Sequence, residues 1–535
     1  MKGDFSRVSF DPRNHYSQVL LQQGRVTLDA DPNEQGAILL HILRTMARDL
    51  FGPYGAPVDN AGFGLSIDAG DTPASLLLAP GRCYVDGILC ETDGCGYLGQ
   101  PHYIPPAASN DAPGDPLREW LESPDGQNKF WVYLDVWERH VTAIEHPWLR
   151  EVALGGPDTC SRAQVIWQVK SLAEAEIKGR LRKRLDTVEQ RLKEHPDDAD
   201  LQRLQARLTT ALATMDKPDA DAHELCPVPP LALERDHLPE LAAHLDPGQR
   251  LDDPCVMSPE SGYRGSENHL YRVEVHRGST AGAQATFKWS RDNGSVLTTW
   301  TAATGTNVGV GNTRGFQPGQ WVELSHDEDD LLGRPGALYK VLGIEDDHLI
   351  VDGTPAWTGM PGAKARRWDQ IERGDVRLVE GAVPVPEASA GDPAWIDLED
   401  GIQIRFAPGR EYRSGDYWMF AARVDTGKLE WPADAAGEAL LQFPRGIEHH
   451  YASLGFVARS DSGKSIDVSS CGCLVYPPST CGILADTGTR VVPPVRQPPI
   501  RDTKVTEIVA KPPRPVSPAR KSAAGKTVTK RKPNS

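Results

Sequence analysis

Most of the chain between residues 54 and 475 consists of short runs in which apolar and polar residues alternate. Alternation with a period of two places successive side chains on opposite faces of a strand. The 535 residues include 50 Gly and 44 Pro, which interrupt the chain too often for long helices to dominate. The pattern therefore predicts a mainly β protein, and the length predicts several domains.

The first β region contains the most definite strands. The runs on either side of Pro80-Gly81 predict two strands, and Asp86-Gly87 predicts a turn after the second. Residues 129–140 carry apolar side chains on both faces, so we expect a strand that is covered on both sides. Residues 163–169 alternate in the same way and are its predicted partner strand.

Two further β elements are predicted beyond residue 286. Asn293-Gly294 favours a type I′ turn, which would make a hairpin with Phe287 opposite Trp300. Residues 316–353 contain short strand-like runs that predict a small barrel or meander.

The first 53 residues combine a predicted hairpin with a predicted helix. Val19 and Leu21 on one side of Gln23-Gly24, and Val26 and Leu28 on the other, are each spaced by two, which predicts two short paired strands. Asp31 is the predicted N-cap, Pro32 the first helical residue, and the helix should reach about Leu50. The apolar stripe of this helix comprises Ile38, Leu39, Ile42, Leu43, Met46 and Leu50.

Residues 172–216 have helical periodicity instead. Leucine or valine recurs at steps of three and four in two segments, and His195–Asp198 interrupts them. This predicts an antiparallel helical hairpin inserted between β regions. Its apolar seam either closes on itself or forms a docking arm for a partner or a symmetry mate. The seam residues are Leu181, Leu185, Val188, Leu192, Leu201, Leu204, Leu208 and Leu212.

These patterns predict six consecutive segments. They are the N-terminal hairpin and helix (1–53), a β domain (54–171), the helical hairpin (172–216), a β region that continues the first β domain (217–310), a barrel-like, β-rich domain (311–475) and a Pro/Lys-rich disordered tail (476–535). The net charge of −16 divides into +9 for residues 496–535 and −25 for the rest. The acidic body disfavours nucleic-acid binding, which needs cations to neutralise phosphates.

Several sequence blocks resemble a family of largely uncharacterised bacterial proteins encoded beside phage tails and contractile injection systems. Together they cover roughly residues 1–455, and Pro32 stands where family members often carry Trp. The blocks are Met1–Arg7, Val19–Asp31, Asn33–Gln35, Val132–Thr142, Gly262–Gly265 with Glu267-Asn268, and Phe287–Ser295. The resemblance implies a setting at a tail-like particle and does not imply a reaction.

Carboxylates form three candidate groups for acid–base chemistry. A glycosidase needs two carboxylates roughly 5–10 Å apart across its sugar site, a distance that sequence does not reveal. A turn or a solvated loop is the alternative interpretation for such groups, and the third one lacks the EF-hand spacing for calcium. The groups are Asp135 with Glu138, Asp397 with Glu399 and Asp400, and Asp327–Asp330.

Nine cysteines are too few for a disulfide scaffold of this length, and no signal peptide is recognised, so we expect free thiols in the cytoplasm. Cys471, Cys473 and Cys481 form the one tight group, with His449-His450 upstream as further ligand candidates. Their spacing fits no standard zinc ribbon, and adjacent histidines on a strand point to opposite faces. The sequence therefore predicts no metal, no cofactor and no catalytic residue.

The best-supported functional prediction is a structural or interaction component of a phage-tail-like contractile injection particle, such as an accessory baseplate or fibre protein. Its partners would be proteins of that assembly and a cell-surface glycan, and no membrane span is predicted. It would be made in the cytoplasm and join a particle that cells can release. Two alternatives stay open: a tail-associated polysaccharide depolymerase that uses an Asp/Glu pair, and a cargo protein for which the basic tail is the loading handle.

Overall fold

Short strands dominate the protein, so the predicted mainly β fold is confirmed. The computed structural model describes residues 1–68, 75–105, 115–122, 128–155, 158–217, 220–246, 262–279, 283–357, 359–372, 377–386, 395–459 and 465–476. The strands are β1 Tyr54–Pro57, β2 Leu65–Asp68, β3 Ser75–Leu78, β4 Gly81–Val85, β5 Ile88–Thr92, β6 Cys95–Gly96, β7 Lys129–Val141, β8 Arg162–Ala173, β9 Leu241–Leu245, β10 His269–Arg277, β11 Thr286–Ser290, β12 Leu297–Thr304, β13 Asn307–Val310, β14 Trp321–Ser325, β15 Ala337–Glu345, β16 His348–Val351, β17 Lys364–Trp368, β18 Val383–Pro384, β19 Ile396–Asp397, β20 Ile402–Phe406, β21 Tyr417–Arg423, β22 Lys428–Leu429, β23 His450–Arg459, β24 Ile466–Ser470 and β25 Leu474–Val475.

Helices are fewer. The α-helices are α1 Ala30–Phe51, α2 Pro116–Glu122, α3 Glu174–Glu194, α4 Ala199–Met215, α5 Ala222–Leu225 and α6 Asp327–Leu332. The 3₁₀ turns are Pro12–Asn14, Val58–Asn60, Tyr97–Gly99, Pro147–Leu149, Val152–Leu154 and Pro229–Ala232. In the described part of the chain, no helix is both long enough and apolar enough to cross a membrane.

The strands form five open sheets and one closed barrel. The open sheets have the strand orders β25-β1-β4-β5, β2-β3-β6, β24-β23-β7-β8, β19-β20-β9 and β18-β11-β10-β21-β22, and the barrel has the order β12-β13-β16-β15-β14-β17. The predicted barrel is therefore confirmed, although it begins at Leu297 and runs to Trp368.

The long strand β7 is covered on both faces, as predicted. It pairs with β8 along its whole length, from Phe130 opposite Ala173 to Val141 opposite Arg162. One face joins a core with β3, β4, β5 and α2, and the other face packs against the helical hairpin. A strand buried on both faces needs such a continuous apolar run.

The predicted helical hairpin is also confirmed. Asp198 accepts hydrogen bonds from the amides of Asp200 and Leu201 and so restarts the helix after the break. Leu181 and Leu208 are 0% exposed, and the seam packs against Trp131 of β7 as well as on itself. The seam is therefore a core element and is not free as a docking arm.

The predicted hairpin around Asn293-Gly294 is wrong, although the turn itself forms. Both residues have positive φ, as a type I′ turn requires. However, β11 pairs with β10 and β18, whereas β12 leaves the turn to pair with β13 and β17 in the barrel. Turn chemistry is local, but the choice of partner strand is decided by which sheet edges the rest of the chain provides.

The predicted segment boundaries do not follow the sheets. The strands of 217–310 do not continue the first β domain, because β9 pairs with β20, β10 pairs with β21, and β12 and β13 belong to the barrel. The strands β23 and β25 return from the far end of the chain to pair with β7 and β1. Only Tyr476 of the predicted tail lies within the described residues.

Candidate functional site

Helix α1 turns its polar side towards the protein. Arg44 donates two hydrogen bonds to Glu138 of β7, at 3.0 and 2.8 Å, and Arg48 lies 3.4 Å from Asp86. The β4–β5 turn lies directly beneath the helix. Gly87 of this turn has φ +81°, and a Cβ there would overlap the carbonyl of Arg44. The predicted Asp86-Gly87 turn is thus confirmed, and the turn supports α1.

The apolar side of α1 faces outwards. Of its stripe only Ile38 is buried, whereas Leu43 and Leu50 are 54% and 67% exposed. We call this surface the docking face, and it comprises Leu39, Leu40, Ile42, Leu43, Met46 and Leu50. An amphipathic helix normally buries this side, and a contiguous exposed apolar surface marks an interaction site.

The chain before α1 adds further exposed apolar side chains. The predicted strands at 19–21 and 26–28 do not form, since residues 15–29 contain no strand, and Val26 is 85% exposed. An isolated two-stranded hairpin is marginal without a third strand or a covering layer. The amide of Val19 donates to the side chain of Gln35, at 2.8 Å, which ties this arm to the helix.

Helix α1 begins slightly earlier in the chain than the sequence predicts. The helix begins at Ala30, before the predicted N-cap Asp31, whose carboxylate accepts from the amide of Leu28 at 3.0 Å. The predicted end is confirmed, because Phe51 is the last helical residue and Gly52 follows it with positive φ.

A cavity of about 360 Å³ lies between β7, β10, β14 and β17 and is lined mainly by charged side chains. Three of the sequence blocks quoted above, Met1–Arg7, Val132–Thr142 and Phe287–Ser295, meet there through Lys2, Arg139 and Lys288. The side chain of Asn293 donates to the carbonyls of Met1 and Gly3, at 3.1 and 3.0 Å. The residues before Asp4 are thereby held at the cavity wall.

Two buried carboxylates organise one side of this cavity. Glu274 lies 2.8 Å from the ammonium of Lys2 and accepts from Arg272 at 2.6 Å. Glu323 accepts from Lys288 and, at 2.7 Å, from the indole of Trp368. Burial alone would raise the pKa of Glu323, but Lys288 and Lys2 outweigh it and lower that pKa to about 2. Both carboxylates therefore stay charged.

The opposite side contains the predicted acidic segment 327–330. It is the start of helix α6 and no solvated loop, which corrects that interpretation. Oxygens of Glu145, Asp327 and Asp330 lie within 4.8 Å of one another. The ammonium of Lys364 lies 2.7 Å from Glu145 and also contacts Asp330, and Arg139 contacts both aspartates. These cations already neutralise the cluster, so it gives no support to a calcium site.

The first predicted carboxylate pair is not brought together as a catalytic pair. Asp135 contacts His449 and Lys170, both at 2.7 Å, whereas Glu138 is held by Arg44. Residues three apart on a strand point to opposite faces.

The second predicted group surrounds a turn before β20, as expected. Glu399 accepts from Tyr271 at 2.9 Å and from Arg291 at 2.6 Å, whereas Asp397 accepts from Gln403. Burial raises the pKa of Glu399, and Arg291 opposes that shift. Asp400 has φ +49° and takes part in the turn. The carboxylates of Glu399 and Asp397 thus have separate partners.

The expectation of free thiols is wrong for Cys471. It forms a disulfide with Cys226, with the two Cα atoms 5.6 Å apart, a normal separation for this bond. Cys471 is therefore no zinc ligand while this bond is intact, Cys473 is exposed, and Cys481 lies outside the described residues. A pairing across 245 residues leaves no trace in local spacing.

The two adjacent histidines contact different carboxylates. His449 contacts Asp135, and His450 contacts Asp86 at 2.9 Å. As expected, they do not converge on one site. In the Arg366–Asp369 segment, Arg367 lies 3.2 Å from Asp369, and the ammonium of Lys288 lies over the ring of Trp368.

Sequence reasoning missed the charged cavity. Its signal was charge alternating within strands that are otherwise apolar: Arg272, Glu274 and His276 on β10, and Lys364 and Arg366 on β17. Residues two apart share one face of a strand, so this pattern indicates a polar interior surface.

Comparisons with known proteins add a family and little else. No curated protein matches the chain. A solved structure titled "Crystal structure of TssK" aligns with 74% of this chain and 99% of that chain, at 10% identity and a TM-score of 0.14. At that score the alignment carries no argument. The sequence profile of "Family of unknown function (DUF6519)" matches residues 1–225 and 230–535. The chain belongs to this family.

Proposed function

We propose that this protein is a structural or interaction component of a phage-tail-like contractile injection particle and that it attaches to the particle through the docking face. The observation that carries the proposal is the reversed orientation of α1. Arg44 and Arg48 hold the polar side against the protein, while the apolar side is free. The blocks Val19–Asp31 and Asn33–Gln35, which resemble the tail-associated family, lead directly into this helix.

The docking face has enough apolar surface for a specific contact. Full burial of a Leu, Ile or Met side chain is worth roughly 1.5–3 kcal/mol, so a side chain that is already half buried can still add roughly 1 kcal/mol. Five of the six side chains of the docking face, Leu39, Ile42, Leu43, Met46 and Leu50, recur at helical steps of three and four and form a continuous stripe. The occupant we propose is an apolar helix or sheet face of a neighbouring protein in the particle.

The arm before α1 suits the same partner. Leu20, Leu21, Val26 and Leu28 are exposed, and they lie in the two segments that the sequence predicts as paired strands. A sheet edge of the partner would supply the hydrogen bonds and the cover that the isolated arm lacks. The arm would then form the hairpin that its sequence predicts only in the assembled particle.

Full-length protein with Leu43→Glu tests the proposal. Particles purified from cells that express the tagged variant should contain much less of it than of the natural protein, because a buried carboxylate opposes docking. Leu342→Glu in β15 is the matched control, since Leu342 is 56% exposed and lies in the barrel. It should be incorporated normally.

Normal incorporation of Leu43→Glu, in a variant whose thermal unfolding matches the natural protein, would refute the docking role of this face. Point substitution is preferable to deletion of residues 1–53, because Met1 and Lys2 line the charged cavity. A deletion would disturb both sites at once.

A further inference from the structure

Two of the cations that line the charged cavity have no carboxylate partner among the described residues. Nine Lys or Arg side chains line it, and seven of them form ion pairs, whereas Arg366 and Arg445 form none with any described residue. Buried charges are normally paired, because taking an ion out of water is unfavourable. A buried cation without a carboxylate partner in a cavity is thus a candidate for binding an anion.

Arg366 is the clearest of these cations. It is 6% exposed, and its guanidinium donates to the carbonyl of Gly294. Among the described residues it forms no ion pair, and burial lowers its pKa. A guanidinium has five donors, so most of its hydrogen-bonding capacity is left for a ligand.

His276 adds an unsatisfied polar group to the same wall. Its side chain is buried, it lines the cavity, and its Nδ1 has no hydrogen-bond partner among the described residues. Burial and the nearby Lys288 lower the pKa of His276 to about 3, so the ring is neutral at physiological pH. A neutral ring offers one N–H donor.

The exposed side chains that line the cavity include Arg445 and Glu448. Arg445 lines it, is exposed, and forms no ion pair among the described residues. This places one free guanidinium at the entrance and another, that of Arg366, in the interior. Cations along an entrance favour the approach of an anion.

We propose that this cavity binds an oxyanion, the phosphoryl or carboxylate group of a small organic molecule. Guanidinium groups bind both oxyanions through paired N–H···O bonds. The cavity of about 360 Å³ exceeds the need of a bare ion and lies within the range of small-molecule sites, so it has room for an attached sugar-sized group.

Calorimetric titration of the full-length protein at constant ionic strength tests the site. The probes are sodium phosphate, glucose 6-phosphate, glucuronate and, as the uncharged control, glucose. We expect saturable binding of at least one charged probe and none of glucose. A preference for glucose 6-phosphate over glucuronate identifies a phosphate ester as the ligand class, and the reverse identifies a sugar acid.

Variants then locate the site. Arg445→Gln at the mouth should weaken binding roughly tenfold, the loss expected for a charge-assisted hydrogen bond. Arg366→Lys keeps the charge but loses the paired N–H donors of the planar guanidinium, so it should weaken binding as well. Arg203→Gln on α4, where Arg203 is exposed and pairs with Asp200, is the matched control and should bind normally.

Two results would overturn the proposal: absence of binding by every charged probe, or unchanged affinity in Arg445→Gln. The Arg445→Gln variant does not depend on folding of the interior, because Arg445 is exposed. The outcome is also separate from the docking role, since Arg445→Gln leaves the docking face intact and should still enter the particle.

Discussion

Helix α1 and the hairpin of α3 and α4 have the same kind of apolar stripe and opposite surroundings. In the hairpin, Leu181 and Leu208 are fully buried, whereas on α1 Leu43 and Leu50 are more than half exposed. The four residues 195–198 return α4 directly onto α3, so each stripe finds the other. Within the described part of the chain, helix α1 has no such neighbour, and Arg44 and Arg48 connect it to the protein. An apolar stripe therefore predicts a helix but does not indicate which surface covers that stripe.

The largest expected difference in stability between the two stripes appears when a charged residue is placed in each of them. Leu208→Glu should lower the free energy of unfolding by roughly 3–5 kcal/mol, since it loses a core side chain and buries a carboxylate. Leu43→Glu should change it by less than about 0.5 kcal/mol, as an exposed substitution usually does. Urea denaturation measures both, and similar losses in the two variants would show that α1 is part of the core.

A smaller loss of stability should follow from a substitution that pushes α1 away from the β4–β5 turn. Gly87→Ala places a Cβ against the carbonyl of Arg44 at a positive φ, and we expect a loss of roughly 1–3 kcal/mol. Limited proteolysis should then cut within α1 while α3 and α4 stay protected. Gly36→Ala is the matched control, because its Cβ meets nothing within 4 Å and alanine favours a helix. Equal protection of α1 in both variants would contradict its support by the turn.

The third effect is a loss of folding stability that is absent at neutral pH and increases as the pH falls. Burial, with Arg366 and Lys288 respectively, lowers the pKa values of His140 and His276 to about 3. Between pH 6.5 and 3 the unfolded chain therefore binds protons that the folded protein does not, and stability falls as the pH falls. Below about pH 4.5 the paired Glu323 adds to this loss, because its folded pKa is about 2.

His276→Asn should reduce the slope of the free energy of unfolding against pH above pH 4.5. The reduction should be at most the slope that corresponds to about one bound proton. Chemical denaturation at a series of pH values measures this slope, and an independent His140→Asn variant should show a similar change. An unchanged slope in both would mean that these rings are solvated. The seam of α3 and α4 is apolar. Acid should therefore increase hydrogen exchange there only as far as it lowers the free energy of unfolding of the whole protein.

Local elements of this fold could be predicted from sequence because their signals are local. The pairing of β7 with β8, the Asp86-Gly87 turn and the helical hairpin each depend on residues close in the chain. The hairpin around Asn293-Gly294 and the segment boundaries failed for the opposite reason. There, strands separated by more than a hundred residues, such as β10 and β21, compete for the same edges.

The two sites show the same limit. The stripe of α1 was visible in the sequence, yet its exposure depends on what Arg44 and Arg48 contact elsewhere. The charged cavity collects Lys2, Glu274, Lys288 and Arg366 from four distant segments, and each alone resembles a solvated surface residue. Charge alternating along β10 and β17 was its local sign.

The bond between Cys226 and Cys471 closes a covalent ring that contains the whole barrel. Outside a reducing compartment, a single backbone cut anywhere in that ring would leave one covalently connected molecule, heavier by one water and separable into two fragments only after a thiol reagent is added. A protein that works on a released particle would thus keep both of its ends after one such cut.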